Sequence, residues 1–333
     1  MPSTYKDIQQ LTGFSLSTIS RYFNGENVRP GTKNAIENAV DQLDFKMNDF
    51  ARGLRSRKSK TIGLLIPDLN RLFFTTLMYQ LGMLLRERGY GCFVCDCNLD
   101  KNTEIEVMNF FINKSVDGVI IIPYDQNPVC LEAARARNIR TVLINNALPS
   151  FETDAVIIDN FEAGKMAAEY LLSKGHKKTA VISNYTYFHL ISERQRGFLS
   201  PLLELGQDFC PHAIEKPSAI NNGYQAVKEL FTIPNDITAL FCTSYELTLG
   251  AITALSELGI KFPADISFIG FDNLQLAQVI RPTLTLIEQP MEQIAYEAVR
   301  LLIRQLENDS SHKYETIVLN TKLVEGESVA DIR

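Results

Sequence analysis

A chain of 333 residues, 45% hydrophobic and 22% charged, is long enough for two or three domains with sizeable cores and too apolar for a disordered protein. It has no run of about 18 apolar residues and no charged leader with a small-residue cleavage site, so the sequence predicts a cytoplasmic protein, and its six scattered cysteines fit a reducing compartment. The net charge of −6 is uneven: residues 1–60 hold ten Lys/Arg against six Asp/Glu, a net of +4, which leaves −10 on the rest. A basic head on an acidic body is the electrostatic layout of a DNA-binding domain joined to something else.

The stretch from Thr4 to Asn24 reads as a helix-turn-helix. Thr4 caps a helix whose third position is Asp7, Ile8 and Leu11 share its apolar face, and Gly13 makes the turn. Ser15 then caps a second helix with Ile19 and Phe23 inward and Leu16, Ser17, Ser20 and Arg21 outward, the side that a recognition helix presents to a major groove. Pro30 to Leu43 gives a third helix with Ala35, Ile36, Ala39, Val40 and Leu43 apolar. A basic connector follows, with Lys46, Arg52, Arg55, Arg57, Lys58 and Lys60 opposed by Asp49; on its own it reads as a solvated linker.

From Thr61 the runs TIGLLIP, CFVCD, GVIIIP, RTVLIN and AVIID alternate with helical patterns over 74–88, 104–113 and about 131–137. Strands apolar throughout and separated by helices predict a parallel sheet covered on both faces. The pattern repeats, with strands TAVISN, ITALFCT and DISFIGFD among helices over 162–174, 193–205, 223–231 and 246–258. Two doubly wound lobes imply a cleft, with ligands at the carboxyl ends of strands. The residues there are Asp68, Asn70, Phe73 and Phe74, then Tyr124 and Asp125, Asn145, and Asp159 and Asn160. The second lobe offers Asn184, Ser192, Arg194, Ser244, Tyr245, Phe271 and Asp272. Aromatics, amides, carboxylates and one arginine suit a polyhydroxylated ligand, although any of them could instead cap a helix or brace a sheet. Cys92-x-x-Cys95 falls in a strand, where i and i+3 point to opposite faces, so these are expected to be core thiols and no metal is expected.

The ordered motifs TYKDI, GFSLSTISR, VRPGT and ARGL, followed by TIGLLIPD, resemble the lactose/galactose repressor (LacI-type) family of bacterial transcription regulators over essentially all 333 residues. The resemblance implies an α/β protein with a small all-α helix-turn-helix head over 1–47, a hinge helix and linker over 48–60, and two doubly wound parallel-sheet lobes of periplasmic-binding-protein type. The first lobe is expected at 61–160 plus about 289–315 and the second at 161–288 plus about 316–333. It implies DNA contacts by Thr4, Leu16, Ser17, Thr18, Ser20, Arg21 and Asn24 in the head, and by Asn48, Ala51, Arg52, Leu54 and Arg55 in the connector. Leu54 would wedge into the minor groove and Arg21 would meet a guanine edge.

The family's ligand-coordinating arginine, in R-x-x-G-F/W, maps on Arg194 of RQRGF, and its G-Y/F-D aspartate maps on Asp272. Phe73 and Phe74 match its stacking aromatic. Where the family has Asn-Asp before a helix, this chain has Ser244-Tyr245, so the usual sugar contacts do not carry over there. The implied function is a transcriptional regulator without cofactor, by family default a repressor of a carbohydrate operon. It would bind a pseudo-palindromic operator as a homodimer, since no leucine heptads extend the tail, and a sugar or sugar phosphate between the lobes would switch it. An alternative is a catabolite-control-type regulator whose main effector is a phosphoprotein corepressor meeting the first lobe near Arg52, Met291 and Arg304. A solute-binding protein would need a signal peptide and no basic head; an enzyme would need a phosphate loop, nucleophile elbow or metal cluster, and the sequence has none.

Overall fold

The computed structural model describes residues 3–23, 26–45, 58–124, 129–148, 150–183, 189–204, 209–213, 219–232, 234–272, 274–307 and 313–333. The chain divides into a small unit ending at Ser59 and a large one beginning at Lys60.

In the small unit α1 (Tyr5–Thr12), α2 (Leu16–Phe23) and α3 (Pro30–Gln42) follow the expected order. The N–H and hydroxyl of Thr4 both donate to the Asp7 carboxylate, at 2.6 and 2.8 Å, which holds that carboxyl below its ordinary range. Gly13, at φ +72°, takes the left-handed conformation that ends α1. Ser15 Oγ accepts the Thr18 N–H at 3.2 Å at the start of α2. Ile8, Ile19, Ile36 and Ala39 make the core, ringed by aromatics of which Tyr5 and Phe23 stack at 5.1 Å. Burial of each isoleucine is worth about 1.5–3 kcal/mol, so these few side chains hold the unit together. Leu11, expected beside Ile8, is 46% exposed. A residue at i+3 lies about 60° round the helix from i, too far to reach so narrow a core.

The large unit runs β1 (Thr61–Ile66), α4 (Leu72–Glu87), β2 (Gly91–Asp96), α5 (Lys101–Asn113), β3 (Gly118–Ile121), α6 (Val129–Arg135), β4 (Arg140–Ile144) and β5 (Asp154–Ile158). It continues with α7 (Asn160–Ser173), β6 (Thr179–Ser183), α8 (His189–Glu204), β7 (Phe209–Ala213), α9 (Ala219–Leu230), β8 (Ala239–Cys242), α10 (Tyr245–Leu258), β9 (Ser267–Phe271) and α11 (Leu274–Val279). It ends with β10 (Thr285–Glu288), α12 (Met291–Glu307), β11 (Thr316–Leu319) and β12 (Lys322–Val324).

Two six-stranded sheets result, ordered β11-β5-β4-β3-β1-β2 and β12-β10-β9-β8-β6-β7. The first is parallel throughout, and in the second only β12 runs antiparallel. The chain passes between the sheets after β5, after β10 and after β11. α12 returns to the first lobe, where Ile294, Ala298, Leu301 and Leu302 are buried in its core. The expected boundary at 316 is corrected: Thr316–Leu319 pairs with β5 in the first sheet, and the third passage lies at Asn320–Thr321. Two short strands in succession look alike in sequence, and only their backbone partners tell which sheet each joins. β7, which the sequence did not reveal, carries Pro211 at a sheet edge, where a missing N–H breaks no ladder. Cys92 and Cys95 lie on β2, half-buried, with their thiol pKa values raised by burial.

Candidate functional site

The two sheets offer the carboxyl ends of β3, β4, β8, β9 and β10 to a shared cleft, and Arg194 on α8 reaches into it. Two glycines place that arginine. A Cβ on Gly164 of α7 would lie 1.8 Å from the Arg194 carbonyl oxygen, and one on Gly197 of α8 would lie 1.9 Å from that of Phe161. Only glycines let the two backbones touch, and the contact brings Arg194 beside Asn160 at the start of α7. Arg194 Nε donates to Asn160 Oδ1 at 2.8 Å and Nη1 to the Thr243 carbonyl at 2.7 Å. The guanidinium lies 3.7 Å over the Phe271 ring centre. Among the described residues no hydrogen bond is made by Nη2.

Asp272 and Asn145 close the strands on either side. Both hold the left-handed region, at φ +60° and +66°, a conformation that Asp and Asn tolerate better than other side chains and that concentrates at functional sites. The Gln289 backbone N–H and Nε2 donate to the two Asp272 oxygens at 3.3 and 2.6 Å. Burial nonetheless pushes the Asp272 carboxyl up to about 6, against the pull of Arg194 and Gln289. Burial also brings Arg194 down to about 10, which leaves it a cation at neutral pH. Asn145 Oδ1, Gln289 Oε1 and Thr243 Oγ1 are buried with no hydrogen-bond partner among the described residues. Unpaired acceptors beside a half-used guanidinium make a cavity suited to a ligand rich in hydroxyls.

This inner cavity, of about 80 Å³, is also lined by Arg71, Phe73, Phe74, Tyr245 and Glu246. It adjoins a larger chamber of about 710 Å³ bounded by α4, the start of α12 and the second and third passages between lobes.

Of the expected effector residues, Phe73, Phe74, Asn145, Arg194, Ser244, Tyr245 and Asp272 line the inner cavity. Phe73 and Phe74 meet edge to face at 5.4 Å, and Ser244 Oγ also accepts the Leu247 N–H at 3.3 Å as the cap of α10. Four others do not line either cavity. Asp159 is exposed and caps α7 through the Glu162 N–H at 2.8 Å. Asp68 accepts the Asn70 N–H at 2.8 Å and pairs with Arg71 Nε at 3.5 Å, which aims Arg71. Asn70 is exposed in that turn. Tyr124 donates its N–H to Glu104 Oε1 at 2.7 Å and packs on the apolar layer under the first sheet. Asp125 and Asn184 lie outside the described residues, as does the side chain of Ser192. Sequence reasoning missed Arg71, Glu246 and Gln289; the signal for Gln289 was its place just before Pro290, at the end of a strand.

In the head, Leu16, Ser17 and Arg21 are exposed on α2, Thr18 and Ser20 are half-buried, and Thr4 belongs to the α1 cap. Arg21 Nε pairs with Glu26 at 3.0 Å and Nη2 donates to the Asn27 carbonyl at 3.3 Å. Asn24, Asn48, Ala51, Arg52, Leu54 and Arg55 lie outside the described residues.

Residues 168–329 match the family model of a periplasmic binding protein-like domain. A LacI family transcriptional regulator from Enterococcus faecalis V583, solved with bound ribose, is 28% identical with a TM-score of 0.73, over 82% of this chain and 100% of that one. The HTH-type transcriptional repressor CytR of Escherichia coli (strain K12) is 30% identical, over 92% of this chain and 90% of its own. The chain belongs to the LacI family. It is thus a transcriptional regulator and not an enzyme. The LacI-type similarity is full-length: the HTH-type transcriptional repressor PurR of Actinobacillus pleuropneumoniae serotype 3 (strain JL03) is 28% identical over 99% of both chains. Among the described residues no helix is long and apolar enough to cross a membrane.

Proposed function

We propose that this LacI-family chain is a cytoplasmic homodimeric repressor. Its α2 helices would read a pseudo-palindromic operator, and a small sugar-like effector between the lobes would switch operator affinity. The observation that carries the reading is Arg194, buried on Phe271 with one edge of its guanidinium unused, amid the unpaired acceptors of Asn145 and Gln289. A ring with hydroxyls answers both needs, and the Enterococcus faecalis relative holds ribose. The effector would touch Phe73 and Asn145 from one lobe and Arg194, Tyr245 and Asp272 from the other, so it favours whichever lobe arrangement brings the two sets together. The operator contacts assigned to the head and connector, Leu54 included, belong to the same proposal.

Dimerisation is supported by β2, the edge strand of the first sheet. It leaves Phe93 36% and Val94 41% exposed, with Tyr79 of α4 65% exposed. An apolar open edge is a template for pairing with another chain. In the phosphoprotein alternative the corepressor would have to displace Glu315 from Arg304 Nη1, which it meets at 2.6 Å.

The test is fluorescence anisotropy on a labelled pseudo-palindrome from the chain's own upstream region, at fixed salt, with a panel of sugars and sugar phosphates. The expected result is specific binding that a panel member shifts at least tenfold in wild type and not at all in Arg194→Ala. Specific binding that no small molecule alters would reject the cleft as the switch.

A further inference from the structure

We infer that the effector is an uncharged glycoside of at least two units, with one ring held at Arg194 and Asp272 and the next seated in the larger chamber beyond Gln289. The inference rests on the cleft being the effector site. The inner cavity, at about 80 Å³, falls well below the roughly 300–1,000 Å³ of small-molecule pockets, whereas the adjoining chamber of about 710 Å³ lies within that range. The two are adjacent: Phe73, Tyr245, Asp272 and Gln289 line both.

Gln289 marks the junction. It is 4% exposed, its Nε2 is spent on Asp272, and its Oε1 has no partner among the described residues. A ligand passing from one compartment to the other brings hydroxyls to that carbonyl.

The chamber wall has the chemistry of a sugar site. Leu72, Pro290 and Met291 offer apolar surface to a ring face, and Thr76, Gln80 and Asn320 offer both donors and acceptors to hydroxyls. Its charge disfavours anions. Asp272, Glu288 and Glu292 face it; Lys322 is paired with Glu288 at 2.7 Å and Arg194 stands by Asp272, so the carboxylate left over is the exposed Glu292. A phosphate or carboxylate on the second unit would be repelled there.

The test is calorimetric titration of the full-length protein with ribose, glucose, cellobiose, maltose, lactose and glucose 6-phosphate, in wild type, Gln80→Trp and Arg194→Ala. At least one disaccharide is expected to bind tenfold or more tighter than either monosaccharide and than glucose 6-phosphate. Gln80→Trp, which fills the chamber from α4, should bring that disaccharide down to the monosaccharide level and leave monosaccharides unchanged. Thr76→Trp, one turn away and exposed, takes its place if Gln80→Trp does not fold. Monosaccharides or glucose 6-phosphate binding as tightly as the disaccharides, or a disaccharide indifferent to the tryptophan, overturns the two-unit inference alone. No binding by any sugar, or binding that survives Arg194→Ala, overturns the cleft reading and the inference with it.

Discussion

Arg194 and Asp272 show how burial, more than mutual attraction, sets the protonation of this site. The Asp272 carboxyl titrates near 6 in the folded chain against an ordinary 3.8, so between those values the folded protein keeps a proton that the unfolded chain has lost. The stability owed to this group is therefore complete below the ordinary value and is lost as pH rises through about 6. A sugar hydroxyl donates best to the ionised carboxylate, so effector affinity should run the other way. It should weaken by up to about tenfold per pH unit below 6 and level off above it, with Asp272→Asn flat across the range. Calorimetry from pH 5 to 8 checks this; a wild-type profile as flat as the variant's would remove Asp272 from the contact.

Both residues were legible in the sequence because a motif fixed them to the ends of elements. Arg71 and Gln289 were not, since nothing in a turn arginine or a crossover glutamine says which way it points. Asp68 and Asp159 stand outside the two cavities for a related reason: a carboxylate after a strand also begins a turn or caps the next helix, and here it does.

At the scale of elements, the α7–α8 crossing converts two glycines into the position of Arg194. Gly197→Ala puts a methyl against the Phe161 carbonyl and must push the helices apart. We expect a loss of about 1–3 kcal/mol in stability by thermal unfolding, the usual cost of overpacking, together with an effector affinity reduced more than operator affinity. Gly82→Ala on α4, whose Cβ would meet only Cys92 Sγ at 3.9 Å, is the control and should gain about 0.5–1 kcal/mol. Equal behaviour of the two would mean that the crossing does not position the arginine. The order of strands and helices was readable because buried parallel strands are apolar at every position. β7, with Pro211 and His212, and the short α11 carry no such signature and were missed.

For the whole molecule, two consequences are separable. Val94→Asp on the β2 edge should give a monomer in sedimentation, with operator affinity lowered at least tenfold and effector affinity unchanged, because a single head holds only half of a pseudo-palindrome. A dimer that persists would place the interface elsewhere on the chain.

Switching itself obeys linkage: if effector and operator bias the same two arrangements of the lobes, each changes the affinity for the other by the same factor. The decisive measurement is effector affinity by calorimetry on the free protein and on the operator-bound protein, under one salt condition. The account predicts a ratio equal to the fold-change that the effector makes in operator affinity, and no change of operator affinity by the effector in Arg194→Ala. The same effector affinity with and without operator would contradict it.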